Sequence, residues 1–157
     1  MIKINVVAVG KIKEKYFTDA LTEYSKRLSR FCEFSIIEIP EENYTKVDDT
    51  LIEKIKAKEE ECILSHLKGY VIATAIEGKK VSSPAFADKI KKLTDLGQGV
   101  ITFVIGGSYG MTNKIKSLAN ELISFSDMTF PHTFFRVMLT EQIYRAFSIM
   151  NNSPYHK

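Results

Sequence analysis

The stretch VITFVIGG, residues 100–107, decides how the chain is read. Its first six residues are all apolar or β-branched, with no alternation between an apolar and a polar face. That pattern suits a strand buried on both sides, as in a parallel sheet covered by helices. Gly106 and Gly107 then end the run where the backbone must turn sharply or approach a ligand. In open α/β sheets, ligands bind just beyond the carboxyl ends of strands, so this glycine pair is a candidate site.

Outward from it, further β-rich runs occupy residues 2–9, 34–39 and 70–76, with a weaker one at 121–126. Helical stretches lie between them. The first sets Phe17, Ala20, Leu21, Tyr24, Leu28 and Phe31 on one face at three- and four-residue steps. The second, residues 48–67, does the same with Ile52, Ile55, Cys62 and Ile63. Ser82 or Ser83 before Pro84 starts a third. A long helix over 133–150 buries Phe134, Phe135, Met138, Leu139, Ala146, Phe147 and Met150, and NNSP at 151–154 stops it. This alternation makes an α/β domain. The polar connection 40–47 does not read as a boundary, so residues 1–157 form a single domain.

With 157 residues the chain buries roughly 70% of its unfolded surface and needs no metal or disulfide to fold. Cys32 and Cys62 form no metal-binding spacing and read as two buried, reduced thiols. A net charge of +3, from 22 basic and 19 acidic residues, is too small for a protein that coats nucleic acid by charge alone. The opening MIKINVVAVG is too short to span a membrane and has no cleavage site after it, so the chain reads as cytoplasmic.

Three chemistries compete at the glycines. A dinucleotide fingerprint is weak, because Ile105 stands in place of its first glycine. Gly106, Ser108 and Gly110 satisfy the G-x-S-x-G elbow of a serine hydrolase, with Asp127 and then His132 or His156 following. The third reading is a turn that offers backbone groups to a nucleotide-like cofactor, with SFSDMTFPH, residues 124–132, as the opposing loop. Glu141 and Arg145, four apart on the last helix, read first as a solvated salt bridge.

The C-terminal run MTFPHTFFRVMLTEQIYRAFSIMNNSPYHK resembles the RlmH family of 23S rRNA pseudouridine methyltransferases, within the SPOUT superfamily. So do VVAVGKIKEKYFTDALTEYSKRLSRF near the start, VIATAIEGK with Ser82 and Ser83, and FVIGGSYG. The match runs the full length, and the pattern PH-x3-R-x4-EQ-x-YRA-x-SI ending in PYHK is specific. The resemblance implies a parallel-sheet SPOUT fold whose C-terminal segment is threaded as a deep trefoil knot, in a homodimer. It places S-adenosylmethionine at Thr74, Gly106 and Gly107 and at the loop of Phe125, Ser126, Asp127, Met128, Thr129, Phe130 and Pro131. Family members carry leucine where Thr74 stands, so a backbone contact is expected there. The implied substrate is N3 of a pseudouridine in 23S rRNA of the assembled ribosome, with no metal, because the sulfonium methyl is already activated. Arg145, His156, Glu141 and Tyr155 are the implied catalytic group; His132, Arg145, Tyr155, His156 and Lys157 are the implied substrate contacts. A ribosome-binding factor without catalysis is the remaining alternative.

Overall fold

The computed structural model describes residues 1–42 and 44–157; of the connection 40–47, residue 43 therefore lies outside the described residues. Five strands, β1 (Lys3–Val9), β2 (Glu33–Ile39), β3 (Tyr70–Lys80), β4 (Val100–Ile105) and β5 (Glu121–Ser124), form one sheet in the order β2-β1-β4-β3-β5. Every neighbouring pair is parallel, with Val7 opposite Val104 at the centre. Between and after the strands run α1 (Lys15–Leu28), α2 (Asp49–Leu64), α3 (Ser83–Asp95), α4 (Asn113–Leu118) and α5 (His132–Met150).

Alternate residues of each central strand feed two apolar layers. Ile4, Val6 and Ala8 of β1 join Phe103 and Ile105 of β4 beneath α1, α3 and α5. Val7 and Val9 join Val104 and Ala73 on the opposite face, against Ile63 of α2 and Ile115 of α4. Both faces of VITFVI are thus covered, which is why the run shows no polar alternation.

The helix starts follow from their caps. The Ser82 hydroxyl accepts from Ala85 N with Pro84 in the first turn, and the Asp48 carboxylate accepts from Leu51 N. Helix α5 is enclosed on several sides, so polar residues fall inside it. Thr140 and Ser148 settle their hydroxyls on the carbonyls of Arg136 and Tyr144, one turn back.

Several expectations need correction. Cys62 is exposed and only Cys32 is buried, because α2 turns Ile55, Glu59 and Ile63 inward and ends at Leu64 rather than 67. Phe134 is also exposed, stacked on Phe17 instead of entering the core. β5 stops at Ser124, two residues short of the expected end. β3 runs on to Lys80, but its pairing with β5 breaks between Thr74 and Lys79. No helix among the described residues is long and apolar enough to cross a membrane.

Candidate functional site

A cavity of about 360 Å³ opens at the carboxyl ends of β3, β4 and β5. Its size falls in the range of small-molecule sites. Three pieces of chain build it: residues 74–77 of β3, the glycine turn after β4, and the loop between β5 and α5. Gly106 sits where a Cβ would come within 2.9 Å of the Gly110 carbonyl carbon and of Met111 Cγ. Only glycine lets the turn fold back this tightly, through the short Gly107–Gly110 bridge. The opposing loop is held by its own small polar residues. Ser124 donates to the Ser126 carbonyl, and the Ser126 hydroxyl accepts from Met128 N.

Of the expected cofactor residues, Thr74, Gly106, Gly107, Phe125, Ser126, Met128, Thr129 and Phe130 line the cavity. Asp127 and Pro131 do not: Asp127 faces outward to pair with Lys80, and Pro131 is exposed. The Thr74 side chain is buried and its hydroxyl donates to the Val104 carbonyl, so that donor is already committed. Apolar walls, glycine backbone and a few hydroxyls suit a nucleoside-bearing ligand, and the cavity fits S-adenosylmethionine on those grounds.

His132 opens α5 at the cavity rim; Tyr155 and His156 of the tail fold back to gather with Glu141 and Arg145 on the second half of that helix. Thirteen residues of helix separate His132 from Arg145, about 20 Å at 1.5 Å per residue. Within the distal cluster, Glu141 Oε1 accepts from Arg145 Nη2 at 2.6 Å and from the Tyr155 hydroxyl at 3.1 Å. Arg145 Nη1 lies 3.0 Å from His156 Nδ1, and its guanidinium carbon sits 4.9 Å from the Tyr155 ring centre. Tyr155 packs edge-on against Tyr144. Burial holds the Tyr155 phenol far above its ordinary pKa, with Tyr24 and Glu141 adding to it. Glu141 raises Arg145 and keeps it charged. Lys157 is exposed beyond the cluster. The tail is therefore an ordered aromatic and ionic layer on α5.

Ser108 does not sit in a nucleophile elbow. Its backbone is unstrained, since Asn152 is the one non-glycine residue of positive φ among the described residues. It leads into the Gly107–Gly110 turn rather than straight into a helix. Its hydroxyl lies 3.4 Å from Glu41 Oε1 and 3.5 Å from His132 Nδ1. Asp127 and His156 are elsewhere, so the expected serine, aspartate and histidine do not assemble.

Two residues with no assigned role proved structurally decisive. Arg136, the arginine of the PH-x3-R pattern, is 1% exposed. Its Nη2 donates to the carbonyls of Val9 and Gly10 at 3.1 and 2.8 Å, and its Nη1 to Glu38 at 3.0 Å. It ties the start of α5 to the end of β1. Glu59 of α2 is also buried, and burial pushes its carboxyl up to about 7, with Glu41 and Glu42 adding to the shift. Among the described residues, no group of histidine, cysteine or carboxylate side chains is placed to hold a metal ion.

A cavity at the carboxyl ends of a parallel sheet is where open α/β folds bind their ligands. The match is to the family described as predicted SPOUT methyltransferase, over residues 2–156, and the chain belongs to that family. It is 52% identical over 99% of its length to the ribosomal RNA large subunit methyltransferase H of Streptococcus uberis, covering 99% of that protein. It is 51% identical to the protein of the same name from Levilactobacillus brevis, over 98% of this chain and 99% of that one. A probable methylase family protein from Haemophilus influenzae shares the fold, with a TM-score of 0.52 and 13% identity, over 99% of this chain and 70% of that one.

Proposed function

We propose that the protein, acting as one domain in a homodimer, transfers the methyl group of S-adenosylmethionine to N3 of a pseudouridine in 23S rRNA of the assembled ribosome. The observation that carries this reading is the near-50% identity, over almost the whole chain, to methyltransferases named for large-subunit rRNA. The cavity supports it with a floor of glycine backbone and a lid formed by the loop after β5.

The cofactor supplies a methyl already activated on a sulfonium, and the protein's task is position. Backbone of Thr74, Gly106 and Gly107 and the lining residues of the loop, Phe125, Ser126, Met128, Thr129 and Phe130, would hold it. The acceptor nitrogen must come within about 3 to 3.5 Å in line with the methyl. Arg145, fixed by two bonds to Glu141, offers a cation for the charge that develops on the base carbonyls as N3 loses its proton. Tyr155, kept neutral, offers a face for an unstacked base. His156, whose Nδ1 accepts from Arg145, carries its hydrogen on Nε2 and offers it to a phosphate, while the N3 proton leaves to water; Lys157 reaches phosphate. His132 at the rim contacts the substrate.

Arg145, with Tyr155 and His156 beside it, lies about 15 Å along α5 from Phe135, the last residue of that helix to line the cavity. That separation supports the dimer, because a second copy can bring its tail to the first copy's cavity. The path of the chain supports the knot. After the edge strand β5, α5 returns across the sheet to pack on α1 and α3. The small net charge of +3 favours a shaped ribosomal surface over free RNA, and ribosomes place the activity in the cytoplasm.

The experiment is transfer of labelled methyl to ribosomes lacking the modification, with protein-free rRNA alongside. Label on ribosomal pseudouridine supports the reading. Faster labelling of free rRNA would remove the need for an assembled target, and no label on either would overturn the substrate.

A further inference from the structure

Among the described residues that line the cavity, two carry formal charge: Glu77 and Lys116. Nothing in the sequence pattern marks either, yet they arrive from different elements and meet. Lys116 Nζ lies 2.5 Å from Glu77 Oε1, with side-chain exposures of 27% and 55%. Lys116 also holds the Glu77 carboxyl below its ordinary range.

Glu77 stands in the irregular stretch where β3 and β5 lose register, between Thr74 and Lys79. Such bulges re-aim side chains beside functional sites. This one depends on its neighbour: a Cβ on Gly78 would lie 2.6 Å from the Ile123 carbonyl carbon. The chain therefore comes flush against β5 at Gly78, and Glu77 is presented at the cavity wall. Lys116 belongs to the short α4, whose position is set by Ile115 buried in the core.

We propose that the Glu77–Lys116 pair receives the amino-acid end of the cofactor, Glu77 binding its α-ammonium and Lys116 its α-carboxylate. This rests on the cofactor reading above. The nucleoside end is uncharged and matches the apolar walls formed by residues such as Ile105, Phe125 and Met128. A lone carboxylate could serve a ribose diol, but the lysine has no complement there. An α-amino acid carries both signs a few bonds apart, so one zwitterion complements both residues at once. The exposed pair itself is weak and opens at little cost.

The test is calorimetric binding of S-adenosylhomocysteine and of 5′-methylthioadenosine, which has the same nucleoside thioether but no amino-acid end. Wild type, Glu77→Gln and Lys116→Met are compared, with Glu77→Asp and Lys116→Arg as conservative variants and thermal melts to verify folding. Each neutralising substitution weakens S-adenosylhomocysteine roughly tenfold or more, and methylthioadenosine less than about twofold, while the conservative variants recover part of the loss. Equal weakening of both ligands, or of neither, overturns the proposal. A wild-type protein that binds neither ligand overturns the cofactor reading itself and this inference with it.

Discussion

Replacing Arg136 by methionine tests how the start of α5, and with it one rim of the cavity, is held. Methionine keeps most of the apolar stem and removes the guanidinium. The carbonyls of Val9 and Gly10 then lose charged donors in a place water does not reach. Each charge-assisted bond contributes on the order of 1.5–3 kcal/mol. Relief of the buried charge offsets part of that, since burial already lowers the Arg136 pKa and its Nε has no partner. The net loss is about 3 kcal/mol, near the lower end for breaking a buried ionic contact. For a domain of this size that lowers the melting temperature by about 6–12 °C. Glu38 contributes less, because its side chain is 45% exposed and solvent screens the pair. Calorimetric or circular-dichroism melts of Arg136→Met, Glu38→Gln and the parent decide the matter. A methionine variant melting within 2 °C of the parent, or a Glu38→Gln variant as damaged as Arg136→Met, would refute the argument that the two backbone carbonyls dominate.

Other predictions are open to direct measurement. Folded Glu59 keeps its proton between about 4.5 and about 7 while the unfolded chain has released it. Stability therefore falls as pH rises through that window and levels off above it. Glu59→Gln removes this slope and gains up to roughly 3 kcal/mol at pH 8, read from urea unfolding at several pH values. If the second copy supplies the tail, Gly106→Val and Arg145→Ala are each inactive in methyl transfer. Their co-refolded mixture then regains about a quarter of wild-type activity, from heterodimers with one intact site. A mixture that stays inactive would place pocket and tail within one chain. Iodoacetamide labels Cys62 in the native protein and reaches Cys32 only after unfolding, because burial pushes the Cys32 thiol up to about 12. Mass spectrometry finding both cysteines modified in the native state would contradict that.

The legible parts of this protein are those written in local periodicity. VITFVI is apolar throughout because both faces are covered, and the caps at Asp48 and Ser82 mark their helices within a residue. The tight turn at the glycine pair was readable from the end of an apolar run, and the resemblance pointed to the loop 125–131, of which Asp127 and Pro131 fall outside the cavity lining. Less legible were residues whose environment comes from distant segments. Phe134 looks like core by type, but stacking on Phe17 keeps it at the surface. Cys62 falls on an apolar stripe that the actual rotation of α2 leaves outside.

From sequence alone came the α/β alternation, the parallel sheet and the family, since strand and helix periods and a long ordered motif survive without coordinates. Tertiary structure decided which residues meet. It put a buried arginine against the carbonyls of a strand some 126 residues away in the chain. It set Glu77 beside Lys116 through a register break in β3 that no sequence periodicity marks. It also separated the tail cluster from the cavity along α5. Charges and hydrogen bonds act over a few ångströms, and such distances between remote segments exist only once the sheet has formed.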